Sequence, residues 1–61
     1  MEFEIYKDKA DEYRWRLKSS NGNTIGDSGE GYKNQSDCME MVADIQYKAS
    51  QATVKIHADA A

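Results

Sequence analysis

Sixty-one residues with a net charge of -3, one cysteine and one histidine describe one small domain. Cys38 alone excludes an internal disulfide, and with His57 it leaves too few soft ligands for a structural zinc site, which wants four. The acidic balance weighs against general nucleic-acid binding, and no apolar run is long enough to cross a bilayer.

A chain this short hides only about 60% of the surface that its unfolded form exposes. Small domains commonly add a disulfide, a metal or a second subunit, and here self-association is the expected supplement. The opening Met1-Glu2-Phe3-Glu4-Ile5-Tyr6-Lys7 is acidic and alternating, which fits neither a signal nor a transit peptide. With a lone thiol, this points to the reducing cytoplasm and away from membranes.

In chain order, Phe3 and Ile5 alternate with Glu2, Glu4 and Tyr6, the period of a half-buried strand. Tyr13, Trp15 and Leu17 alternate in the same way with Arg14, Arg16 and Lys18. The polar stretch Asp8 to Glu12 between them has hairpin-loop length. Setting Lys7 opposite Tyr13 brings Ile5 to Trp15 and Phe3 to Leu17 on one face. The same register brings Glu4 to Arg16, Glu2 to Lys18 and Tyr6 to Arg14 on the other.

Ser19 to Asn23 forms the next turn. A two-residue loop on Asn21-Gly22 would set Ile25 on the charged face, so a three-residue loop or a bulge is expected to return it to the Trp15 side. The third strand is then Thr24 to Ser28, weakened by Gly26. Gly29-Glu30-Gly31-Tyr32 turns the chain out of the sheet, and Asn34 or Ser36 caps a helix with Asp37 in its first turn. Cys38, Met41, Val42, Ile45 and Ala49 mark that helix's apolar face, with Trp15 and Leu17 expected against Val42 and Ile45. Thr53-Val54-Lys55-Ile56-His57 alternates and is β-branched, so it reads as a fourth strand before a frayed tail at 58–61. The expected class is α+β: one domain over 1–61, in the order β-β-β-α-β, with a single helix on an antiparallel sheet.

The runs Phe3-Glu4-Ile5-Tyr6-Lys7-Asp8, Glu12-Tyr13-Arg14-Trp15-Arg16-Leu17 and Ser28-Gly29-Glu30-Gly31-Tyr32, with Asn21-Gly22, Ile25 and Cys38, resemble the YegP-like family of small bacterial domains of unknown function. The likeness runs from about Phe3 to Ala49 and corresponds to a single-copy member. It implies a β3-α-β unit, two of which build one sheet with exchanged C-terminal strands, and it implies no activity. Met41 departs from the family pattern, which has a small residue there.

Each candidate site has a plainer reading beside it. Tyr6, Arg14, Arg16 and Lys18 suggest a platform for phosphate or single-stranded nucleic acid, against a solvated face neutralised by Glu2 and Glu4. Gly29, Glu30 and Gly31 suggest an anion nest, against glycines that permit positive φ in a tight exit from a strand. Cys38 reads as a small buried hydrophobe and His57 as an exposed strand residue. Tyr47 and Met39 lie off the apolar stripe and hint at an interface. No catalytic constellation, metal set or cofactor motif stands out. The leading expectation is a non-enzymatic homodimer that exchanges Thr53, Val54, Lys55, Ile56 and His57 and binds another protein. Behind it come a nucleic-acid or phosphorylated-ligand binder and a small-molecule site at the dimer seam.

Overall fold

The alternation of the first two segments sets the hairpin from which the rest is built. The computed structural model describes residues 1–58, and in it β1 (Glu2–Lys7) and β2 (Tyr13–Lys18) pair antiparallel. Lys7 meets Tyr13, Ile5 meets Trp15, Glu4 meets Arg16, Phe3 meets Leu17 and Glu2 meets Lys18, the register expected from the charges. Phe3 and Trp15 pack edge to face with ring centroids 5.7 Å apart.

The two hairpin loops share one design. Asp8 N–H donates to Glu12 C=O at 2.8 Å, and Ser19 N–H donates to Asn23 C=O at 2.8 Å, so each loop has three residues. Its last residue lies in the left-handed region, Asp11 at φ 65° and Gly22 at φ 89°. Asp and Gly are among the residues that accept that conformation most readily. Asp8 Oδ1 also accepts N–H groups from Ala10 at 2.9 Å and Glu12 at 3.0 Å, which locks the first loop.

The three-residue second loop sets Lys18 opposite Thr24, which would carry Ile25 to Leu17. A bulge between Leu17 and Lys18 shifts the ladder once more, and Gly26 takes the place opposite Leu17. Ile25 is the extra residue of that bulge, has no partner of its own in the ladder and is 53% exposed. The third strand, β3 (Thr24–Asp27), ends one residue before the expected Ser28. Ser28 still donates its N–H to Trp15 C=O at 2.9 Å, and its buried hydroxyl accepts Trp15 N–H at 3.3 Å.

Gly29-Glu30-Gly31 then makes an excursion, and Tyr32 returns to bridge Tyr13 through bonds of 2.7 and 2.8 Å. Neither glycine has a positive φ, which corrects the reason expected for them. Gly31 is required by close approach. A Cβ there would stand 2.9 Å from Glu12 Cβ, and closer still to the Glu12 carboxylate.

The helix, α1 (Gln35–Lys48), follows Asn34 and lies against β2 and β1. Asn34 holds the N-cap position through its backbone; its side-chain amide reaches Asp37 Oδ2 at 3.3 Å and caps no N–H group. The core is thinner than the apolar stripe implies. Cys38 is fully buried; Trp15, Leu17, Val42 and Ile45 are half-buried, and Met41 is 36% exposed at the margin of the stripe. Trp15 Nε1 is buried with no hydrogen-bond partner among the described residues.

A short 3₁₀ turn, Ala49–Gln51, closes the helix, and Ala52 leaves it extended at φ -70°, ψ 138°. Residues 53–57, expected as a fourth strand, pair with no strand among the described residues. Alternation alone does not make a ladder without a strand beside it. Of the tail expected at 58–61, residues 59–61 lie outside the described residues.

Candidate functional site

Two surfaces emerge from this arrangement, one polar and internally satisfied, the other apolar and open. On the polar face the hairpin register aligns Arg14, Arg16 and Lys18 beside Glu4 and Tyr6. Arg16 Nε donates to Glu4 Oε1 at 2.8 Å, and its guanidinium lies 4.5 Å from the centre of the Tyr6 ring. Lys18 Nζ reaches the same Glu4 oxygen at 3.8 Å, although Glu2 stands directly opposite it in the ladder. Arg14 does not stack on Tyr6, its cross-strand neighbour. Its Nε donates to Asp8 Oδ2 at 2.6 Å, and Nη1 donates to Ser28 C=O at 3.4 Å.

The protonation equilibria follow from these contacts. The hydrogen bond from Arg16, aided by the nearby Lys18 charge, holds the Glu4 carboxyl below its ordinary range. The Glu12 N–H and then the Arg14 guanidinium do the same for Asp8. In turn, the Asp8 hydrogen bond raises the Arg14 pKa. Each of the three cations on this face therefore has a carboxylate within 4 Å. A phosphate docking here would have to compete with those carboxylates, which weakens the nucleic-acid reading.

The other singled-out residues stand apart from one another. Gly29, Glu30 and Gly31 contain no left-handed residue, so they do not form the alternating right- and left-handed type of nest. Cys38 is buried and its thiol pKa is pushed up by desolvation, the opposite of an activated thiol. Tyr47 and Met39 are 81% and 53% exposed on the outer side of α1. Among the described residues no three His, Cys, Asp or Glu side chains converge as metal ligands, and no helix is long and apolar enough to cross a membrane.

The open surface is a groove of about 640 Å³ between the first strand and the end of the helix. Phe3, Ile5 and Leu17 form its sheet wall, and Val42, Ile45 and Ala49 its helix wall. Beyond Ala52 comes the segment at 53–57, whose Val54 and Ile56 are 89% and 86% exposed. Sequence reasoning singled out this segment but not the groove. The available signal was a mismatch: one 14-residue helix has too little apolar surface to cover the core faces of three strands. Asp8 was likewise missed as the partner of Arg14, because a loop residue carries no face in a period-two pattern.

The sequence model of a family described as "Domain of unknown function (DUF1508)" matches residues 8–55. A UPF0339 protein of Neisseria meningitidis serogroup B is 44% identical over 55 residues, covering 90% of this chain and 96% of that protein. A UPF0339 protein of Treponema denticola is 40% identical over 52 residues, covering 85% and 88%. A UPF0339 protein of Stutzerimonas stutzeri, described as lying in a ptx operon 5′ region, is 51% identical over 47 residues. The match spans 77% of this chain but 41% of that relative's length. The solution structure of a protein from Haloferax volcanii superposes with a TM-score of 0.85 at 39% identity, covering 92% of this chain and 93% of that one.

Proposed function

The chain belongs to the DUF1508 family, to which no specific activity is attached, and from that premise we propose that it is a homodimeric, non-enzymatic module that binds another protein. Two copies exchange the segment Thr53–His57, and the completed dimer presents the partner surface. The observation that carries this reading is the pairing of an exposed β-branched tail with an open apolar groove in the same small chain.

Leaving Val54 and Ile56 in water forfeits about 1.5–3 kcal/mol for each side chain that could be fully covered. An exposed row of backbone donors and acceptors adds an aggregation hazard, which a closed two-fold exchange removes. The Stutzerimonas relative is more than twice as long as the segment it shares with this chain, which leaves room for a second such unit. A reducing cytoplasmic setting suits the lone buried Cys38. The exposed Tyr47 and Met39 on the outer side of α1 are the residues offered to the partner protein.

Light scattering should report a dimer at micromolar concentration for the full chain. Removal of Thr53 to Ala61 should leave a destabilised monomer or an aggregating chain. Affinity capture with the intact dimer should retain a protein that is lost on Tyr47→Ala. A stable full-length monomer, or a truncated chain that still dimerises, would overturn the exchange.

A further inference from the structure

Resting on the reading that the chain binds another protein, we infer that the outer face of α1 takes a basic amphipathic helix of that partner. The partner's apolar side chains lie along Met39, Ala43 and Tyr47, and its lysines or arginines lie beside Glu40 and Asp44.

Met39, Ala43 and Tyr47 follow one another at four-residue intervals along α1, so they share one line on its surface. All three are exposed, whereas Cys38, Val42 and Ile45 are the helix residues turned to the core. Glu40 stands three residues before Ala43, and Asp44 three before Tyr47, which sets an acidic line beside the apolar one.

These acids are not neutralised from within the chain. The helix carries Asp37, Glu40 and Asp44 against Lys48 alone. Lys48 Nζ reaches Asp44 Oδ1 at 3.8 Å, in a pair too exposed to hold its charges together firmly. Among the described residues no cation pairs with Asp37 or Glu40. The outer face of the sheet is the opposite case, since each of its cations has a carboxylate beside it. The helix is thus the face with charge left over for a partner.

The sign of that charge narrows the occupant. Nucleic acid and anionic lipid would meet Glu40 and Asp44 with like charge. A second copy docked face to face would set these carboxylates against their own counterparts. A basic partner is steered in and matched on arrival.

Shape narrows it further. A helix face offers no free backbone donors or acceptors, so an extended partner would leave its own amides unpaired there. A helical partner brings them already paired. Ala43 leaves a notch between two large side chains, into which an apolar side chain fits as two helices pack about 8–10 Å apart. From Met39 to Tyr47 the axis rises about 12 Å, which a partner meets with apolar residues at i, i+3 or i+4, and i+7. The Tyr47 ring also presents its face to an arginine.

The test is a selection from a displayed library of random peptides, each about 16 residues or roughly 24 Å as a helix, against the full-length protein. Enriched sequences should carry Lys or Arg together with large apolar residues at helical spacing, and should gain helical circular dichroism on binding. Titrated into isotope-labelled full chain, they should shift the amides of Met39, Glu40, Ala43 and Tyr47. Glu40→Lys and Tyr47→Ala, each checked for unchanged melting, should raise the dissociation constant at least about tenfold, whereas Arg16→Gln should leave it within about twofold. Enriched peptides that lack cations, or that shift the groove or the sheet's outer face instead, would overturn the assignment to α1 while leaving the protein-binding reading intact. Enrichment of no peptide at all would overturn both.

Discussion

The β1–β2 hairpin and the segment Thr53–His57 are written in the same alternating pattern, but only the hairpin finds its partners within the chain. Its apolar side meets the helix, and its charged side closes on itself through Arg16–Glu4, Lys18–Glu4 and Arg14–Asp8. The tail has a comparable pattern, a polar face and an apolar face, and both face water. Strand character therefore lives in the local sequence, whereas sheet membership depends on what lies beside the strand. Under the proposed exchange, a second copy supplies the neighbour that the chain does not provide.

The contrast can be broken most strongly at the hairpin's apolar side. Trp15→Ala should cost about 3 kcal/mol, the low end for truncating a large aromatic, because the ring is only half-buried. That is a large part of what so small a domain has, so thermal melting by circular dichroism should show a mostly unfolded chain at 37 °C. Near-wild-type melting would mean that the hairpin does not depend on this face.

A smaller loss is expected at the return of the chain to the sheet. Gly31→Ala forces its new methyl group against Glu12 Cβ, 2.9 Å away, and should cost about 1–3 kcal/mol by denaturant titration. An unchanged midpoint would show that the Tyr13–Tyr32 bridge tolerates displacement.

The polar side should matter less still. Arg16→Glu sets like charges against Glu4 and should cost under about 1 kcal/mol, with Glu4→Arg in the same chain recovering most of it. Absence of coupling in that double-mutant cycle would show the face to be screened by solvent rather than closed on itself. The smallest effect is the pH response. Glu4 and Asp8 have folded-state pKa values below their unfolded ones, so their contribution is present above roughly pH 4 and lost as pH falls through the depressed values. Melting temperature should decline on acidification below that range, and Glu4→Gln should flatten the decline.

The hairpin was legible because period-two alternation and opposite charges both select one register among those available. The helix was legible from Cys38, Val42 and Ile45 at helical spacing. β3 and its three-residue loop were legible to within one residue, but the bulge that leaves Ile25 without a ladder partner was not fixed by the pattern. The glycines at 29 and 31 were visible as special, but close approach to Glu12 cannot be told from positive φ without coordinates. Resemblance to the YegP-like family identified the unit. The groove stayed hidden, because its only trace in the sequence is the mismatch between one helix and three strands, which says that a face is uncovered but not where.

Amide hydrogen exchange at Val54 and Ile56, followed by NMR on the full chain, measures the central claim directly. If the tail is paired to a second copy, the amides that bond to its strand edge exchange slowly at high concentration and lose protection as the protein is diluted toward monomer. Fast exchange along Thr53–His57 at every concentration, with the β2 amides remaining protected, would contradict it.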